Sequence, residues 1–381
     1  MVWKFVLQMI SPYESVYIFT LGGTGTTLGI ITALQMLFST FIRVPGGYIA
    51  DRYGRRRIIG LAILASGFGY LFYIFARNWV WLIPGALILS IQDLAVPATE
   101  AIKVDSVNPE NRGKGFAIIN TLPDILALFA PALGGYLVID NAANYGISLP
   151  GIRLVYFAVF IGVLLTGLIR LFFLKDLIEH EKVERRGILH MFRDAITLVN
   201  ESEQTIKRLL LLGGFFMFCF HLDARMRAVY AIDAGLSTVE WGWIVSVTSV
   251  VSLVSGLFIG GLVDKFGRKN VFVPSVLLLG LSTFLFLVSS GFWMFLLARV
   301  LGGIGLYGRM ISFQVLVADM VPVDSRGRVM AVYSIFSSIG TTSAILLSGF
   351  LYDVFAELPF ILSAIAFILA AIVGKLFLNE T

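Results

Sequence analysis

Long unbroken blocks of apolar residues run along this chain, near positions 25–46, 58–76, 80–101, 114–139, 152–174, 206–232, 240–262, 271–290, 292–318, 329–352 and 357–378. Each is close to the roughly 20 residues a helix needs to cross a bilayer. A twelfth and shorter block lies near 2–20. The blocks lack the two-residue alternation of membrane β-barrel strands. The pattern therefore predicts an all-α membrane protein of twelve transmembrane helices, with short connections that make neighbouring helices antiparallel.

Composition sharpens this reading. Of 381 residues, 58% are hydrophobic and 14% charged, against the roughly 25% charged residues of a soluble domain. The single cysteine, Cys219, excludes an internal disulfide. The net charge of +5 could suggest nucleic acid, but the location of the basic residues argues against it. With the loop at 51–57 placed in the cytoplasm, about 23 of the 29 Lys and Arg fall at cytoplasmic ends or loops. That is the positive-inside bias. It places both termini in the cytoplasm and makes the basic groups partners for anionic lipid.

One loop is unlike the others. Between Lys175 and Arg208 stand seven basic and seven acidic residues, with Ile188, Met191, Phe192, Ala195 and Val199 at helical spacing. This predicts an amphipathic helix on the inner membrane surface. The chain thus divides into residues 1–174, a linker at 175–205, and residues 206–381.

The outer segments repeat each other. Gly47-x-x-x-Asp51-Arg52-Tyr53-Gly54-Arg55-Arg56 recurs as Gly260-x-x-x-Asp264-Lys265-Phe266-Gly267-Arg268-Lys269, 213 residues later. Asp105 with Arg112-Gly113 recurs as Asp319 with Arg326-Gly327 at an offset of 214. Two six-helix units with parallel insertion are expected, related by a pseudo-twofold along the membrane normal. Helix seven begins near Lys207–Arg208, so the offset places the start of helix one about six residues before Met1. The first span is expected to be short, or truncated.

The repeated loop resembles the signature of the major facilitator superfamily, and the whole chain fits that family's six-plus-six layout. The resemblance implies a secondary transporter that rocks two bundles around a central cavity and works as a monomer on a small-molecule substrate. It also implies that Asp51 and Asp264 accept bonds from the starts of helices eleven and five, near Arg326 and Arg112. Gly47 and Gly260 are expected to admit a close helix, and Gly54 and Gly267 a tight turn. Arg55, Arg56, Arg57, Arg268 and Lys269 would face anionic lipid and hold topology, and Arg52 belongs to the same gating loop. Ala130-Pro131-Ala132-Leu133-Gly134-Gly135 is similar to the core of a motif of proton-driven exporters, with Ala130 as a departure.

Charges inside the spans are candidates for the transport site, because each costs at least about 2.5 kcal/mol when facing lipid at the bilayer centre. Asp93, Asp124 and Arg309 fall near the middle of helices four, five and ten. Glu14 and the cluster His221, Asp223, Arg225, Arg227 fall in the outer halves of helices one and seven. Glu100 lies deeper and Arg299 on helix ten. The acids Glu14, Asp93, Glu100 and Asp124 are in the first half, and the arginines 225, 227, 299 and 309 in the second. An acidic wall facing a basic one would bind a proton and an anionic group. Asp223 with Arg227, and His221 with Arg225, are also ordinary i, i+4 neighbours. Trp241 and Trp243 read as interface anchors.

Other chemistry is not supported. Gly303-x-Gly305-x-x-Gly308 lies inside a span and reads as helix packing. No Walker A motif or metal-ligand spacing occurs, so no cofactor, metal or enzymatic activity is expected. The expectation is proton-coupled transport of a small organic solute, with export favoured. The alternatives are an uncoupled facilitator or importer and a non-transporting sensor or scaffold.

Overall fold

Main-chain hydrogen bonds have no water to turn to in hydrocarbon, so a chain this apolar must satisfy them within helices. The computed structural model describes residues 2–107, 112–140, 146–174, 204–320 and 323–377, and among them helices account for nearly everything. The expected surface helix around 188–199 lies outside the described residues. An isolated antiparallel bridge joins Ile139 to Ile147.

Seventeen α-helices are described. The first half holds α1 (Val2–Ile10), α2 (Glu14–Thr20), α3 (Gly25–Tyr53), α4 (Arg55–Gly67), α5 (Gly69–Ile74), α6 (Leu82–Leu89), α7 (Val96–Asp105), α8 (Arg112–Ala127), α9 (Ala130–Val138) and α10 (Leu149–Phe173). The second holds α11 (Gln204–Ala224), α12 (Arg227–Asp233), α13 (Thr238–Phe266), α14 (Arg268–Leu287), α15 (Gly291–Met320), α16 (Val323–Val354) and α17 (Leu358–Phe377). Among the described residues, ten helical stretches are long and apolar enough to cross a membrane. The α1–α2 and α11–α12 pairs take the first and seventh places in the order of twelve.

Those two places share a break. A 3-10 turn at Ser11–Tyr13 separates α1 from α2, and a turn at Arg225–Met226 separates α11 from α12. The breaks sit one repeat apart, so Glu14 and Arg227 each open the outer half-helix. Pro12 explains the first break, since its ring carries no N–H and crowds the preceding turn. The second has no proline; Met226 N–H donates to Asp223 O at 3.0 Å, a tightened turn that stops the helix.

Tyrosines of the two outer half-helices satisfy carbonyls at the ends of other helices, at matching places in the two halves. Tyr17 Oη donates to Tyr73 O at 2.7 Å, and Tyr230 Oη to Leu287 O at 2.9 Å. The acceptors lie in the last turns of α5 and α14, where carbonyls lack helical partners. Capping boxes open α3 and α13. Thr27 N–H donates to Thr24 Oγ1 and Thr24 N–H to Thr27 Oγ1; Glu240 N–H donates to Ser237 Oγ and Ser237 N–H to Glu240 Oε2.

The chain forms two units, Met1–Ile188 with Ser237–Trp243, and Leu189–Leu236 with Ile244–Thr381. The segment 237–243, placed by sequence in the second bundle, therefore packs in the first unit. Tyr13 is the reason. Its buried hydroxyl lies 2.7 Å from Pro131 O and 3.1 Å from Thr238 O. Gly135 leaves the room, since a Cβ there would stand 2.6 Å from Thr238 O and 2.7 Å from Tyr13 Oη. Trp241 is buried, with its indole N–H 3.3 Å from Pro12 O. It is thus no interface anchor: it caps a carbonyl at the proline break. Trp243 is more exposed and packs edge-on to Phe129.

The core of the second unit gathers Phe216, Cys219, Phe272, Leu279, Phe313, Val317 and Phe367. The Gly303–Gly308 stretch lies inside α15, where a Cβ at Gly305 would stand 2.8 Å from Ser275 O. Close packing, as its place in a span implied, accounts for these glycines.

Candidate functional site

The signature loops are the first cluster of site candidates. Gly54 and Gly267 adopt φ of +92° and +87°, a region an L side chain rarely enters. They join α3 to α4 and α13 to α14 without a spacer. Arg52 lies over the Tyr53 ring at 5.2 Å and Lys265 over the Phe266 ring at 5.3 Å, at matching repeat positions.

Two expectations for these loops are corrected. Arg55 and Arg268 do more than face lipid. Arg55 Nη1 donates to Asp105 Oδ2 at 2.7 Å, and Arg268 Nε to Asp319 Oδ2 at 2.9 Å. Each arginine begins its helix and each aspartate ends its own or nearly so. Alone, every one of these charges would oppose its helix dipole; paired, they offset that cost. The two repeated motifs are therefore two halves of one contact. The second correction concerns Gly47 and Gly260. A Cβ at Gly47 would meet only Pro97 Cβ at 3.6 Å, and at Gly260 nothing within 4 Å. The close approach is at Gly46, where a Cβ would stand 2.5 Å from Leu94 O. The sequence pattern marks a small-residue patch without resolving which residue meets the backbone.

Asp264 is exposed. Arg56 Nε donates to Leu171 O at 2.6 Å, binding α4 to the end of α10. The side chains of Asp51, Arg112 and Arg326 lie outside the described residues.

The charges within the spans form a second set. Asp93 sits in a 3-10 segment, Ser90–Ala95, between α6 and α7. Arg43 on α3 donates to its Oδ1 through Nε at 3.1 Å and Nη2 at 2.8 Å. The carboxylate side chain is 13% exposed and the arginine 52%. The partner of Asp93 thus comes from its own unit. Arg43 looked like an ordinary basic residue at a helix end, which is why the sequence did not single it out. The same place in the second half is held by Gly256 and Tyr307, where a Cβ on the glycine would stand 3.0 Å from the ring. Neither of those two residues is an acid or a base of the Arg43–Asp93 kind.

Asp124 on α8 pairs with Lys4 on α1, both side chains 42% exposed. Glu100 bonds Lys103 at 2.7 Å, one turn along α7, and its side chain is 60% exposed. Glu14 is half-buried and electrostatically close to Tyr70 and Tyr156. Their rings, with Tyr17 and Tyr73, form an aromatic cluster with centroids 5.0 to 6.4 Å apart.

In the second unit, Arg227 bridges the helix break to Asp223, with Nε to Oδ2 at 2.8 Å and Nη2 to Oδ1 at 3.0 Å. Ser363 on α17 joins them, donating toward Asp223 Oδ1 at 3.3 Å and Cys219 O at 2.9 Å. Asp223 is fully buried. This pair is a clasp between α11, α12 and α17, more than a surface helix pair. The His221 ring packs edge-on against Phe220, and its Nδ1 is buried without a hydrogen-bond partner. Arg309 on α15 is buried among aromatic rings, with Phe216 at 4.0 Å.

The sequence model of the Major Facilitator Superfamily matches residues 5–241 and 226–381. The chain belongs to that superfamily. An uncharacterized MFS-type transporter of Methanocaldococcus jannaschii is 22% identical over 353 residues, 91% of this chain and 87% of the relative. A Na(+), Li(+), K(+)/H(+) antiporter of Planococcus maritimus is 25% identical over 372 residues, 87% of this chain and 82% of the relative. The inward-facing, unoccupied crystal structure of a bacterial homolog of the human lysosomal transporter Spinster superposes with a TM-score of 0.78 at 17% identity, over 99% of this chain and 94% of that one. The protein is an integral, multi-pass membrane transporter of the superfamily fold, and no enzyme.

Proposed function

We propose that this transporter is a proton-coupled secondary carrier of a small organic solute, working by rocker-switch alternating access in the direction of export. The observation that carries the reading is the Arg43–Asp93 pair. A carboxylate inside a span, held by an arginine where the repeat mate is neutral, is a group whose charge the fold does not require. Protonating Asp93 removes its attraction for Arg43 and gives the two states of the helix pair different energies, which is what coupling demands. Asp124 with Lys4, Glu14 beside its tyrosines, and His221 with Arg225 are further candidates for handling proton or solute. The antiporter relative supports exchange against protons.

The signature loops serve as the gate in this reading. Asp51 and Asp264 would hold the closed state together with Arg112 and Arg326, while the Arg55 and Arg268 pairs keep each loop rigid. Both termini and the loop at 51–57 lie in the cytoplasm, where Arg57 and Lys269 meet anionic lipid. The carrier acts as a monomer.

Reconstitution into proteoliposomes with an imposed pH gradient tests the reading. Solute counterflow driven by the gradient is the expected result. Flux indifferent to the gradient would replace coupling with facilitation, and no flux of any solute in a broad panel would turn the reading toward a sensor.

A further inference from the structure

Arg309 stands at least eleven residues from either end of α15, roughly 16 Å along a helix rising about 1.5 Å per residue. It is 5% exposed. A guanidinium keeps its charge at any accessible pH, so a full positive charge sits in the interior of the second unit. Among the described residues no carboxylate lies within ion-pair distance of it. Its Nε and Nη1 are buried and have no hydrogen-bond partner. The contrast with Arg227 is direct, since that arginine gives both Nε and Nη2 to Asp223.

What surrounds Arg309 is aromatic. The Phe216 ring of α11 lies 4.0 Å from the guanidinium carbon and the Phe313 ring 6.0 Å. Tyr333 of α16 hydrogen-bonds the guanidinium through its hydroxyl, and its ring stands 5.2 Å, centroid to centroid, from Phe313. Gly213 admits these rings, since a Cβ there would stand 3.0 Å from Phe313 Cζ. Ring faces attract the cation and lower the cost of burial, but they accept few hydrogen bonds, so the unpartnered N–H groups remain. Phe216 and Phe313 are buried and Tyr333 is half-buried. Of the three rings, that of Tyr333 is the least buried.

We propose that Arg309 is the anion-binding group of the solute site, and that the solute is a carboxylate on a flat, apolar or aromatic body. A carboxylate oxygen accepts from one of the two unpartnered N–H groups, Nε or Nη1, which point to opposite sides of the guanidinium, and the body stacks against the Phe216, Phe313 and Tyr333 rings. The depth of Arg309 excludes a lipid headgroup as the source of the anion. This assignment rests on the carrier reading above and names the substrate class of that carrier.

Binding to the purified protein in nanodiscs tests it without any need for flux. Benzoate, its neutral isostere benzamide, and acetate are the probes, and the thermal midpoint is the readout, since a ligand that binds only the folded state raises it. Benzoate is expected to raise the midpoint in a concentration-dependent manner, with benzamide and acetate weaker by at least tenfold in apparent Kd. Arg309→Gln is expected to remove the preference of benzoate over benzamide, while Arg77→Gln, at an exposed residue in the bend after α5, keeps it. If Arg309→Gln fails to fold, Arg309→Lys decides: it keeps the charge but loses the planar head, and benzoate should bind at least tenfold more weakly. Equal response to benzoate and benzamide in the native protein, or benzoate binding unchanged in either variant, overturns the site. A protein that carries solute in proteoliposomes yet shows either result keeps its carrier function and loses only this assignment.

Discussion

Arg55 Nη1 lies 2.7 Å from Asp105 Oδ2, and one repeat later Arg268 lies 2.9 Å from Asp319. The relationship joins the start of one helix to the end of another at charges that each helix alone would disfavour. Both pairs are partly exposed, so each contributes about 0.2–1 kcal/mol. Arg55→Ala and Asp105→Ala should therefore each lower thermal stability slightly, and the double variant should lower it by less than their sum. Additive losses in a double-mutant cycle would show that the two side chains do not communicate.

Asp93→Asn fixes the carboxyl in a neutral form beside Arg43. Gradient-driven flux should fall to the level seen without a pH gradient, while solute exchange across equal pH persists. Flux of the variant that still follows the imposed gradient would move the coupling group elsewhere, with Asp124 next to be replaced.

The two small-residue patches should respond in opposite ways. Gly46→Ala drives a methyl into the Leu94 carbonyl, an overpacking expected to cost about 1–3 kcal/mol. Gly260→Ala meets open space and should leave the melting midpoint unchanged or slightly raised. Unfolding curves of the two purified variants, compared side by side, check this, and equal sensitivity would contradict the placement of α3 against Leu94.

Tyr13→Phe removes a buried hydroxyl shared by Pro131 O and Thr238 O. Leaving buried carbonyls without their donor should cost about 1–3 kcal/mol. The loss should also speed hydrogen exchange at the amides of residues 237–243. Unaltered exchange there would mean that other contacts seat this segment.

The periodicity of the apolar blocks, the offset of 213 residues and the positive-φ glycines of the signature loops were all legible in the sequence. The partners of the buried charges were not. Arg43 and Lys4 sit at helix ends by hydropathy, and long side chains reach inward from positions that look peripheral. The break at Arg225–Met226 has no proline to announce it. The aromatic surroundings of Arg309 come from three helices, and nothing in linear spacing brings Phe216, Phe313 and Tyr333 together. Likewise Asp105 was visible as half of a repeat, but its bond to Arg55 depends on how α7 ends against α4.

The neutral contact of Gly256 with Tyr307, where the other half has Arg43 and Asp93, has a consequence for how such a protein acquires chemistry. Duplication supplies two copies of every architectural joint, and one copy is enough to show that the joint holds without charge. The other is then free to carry a charge that its twin lacks. On the carrier reading proposed above, the driving ion of such a protein could change by editing one joint while its twin stays as it was.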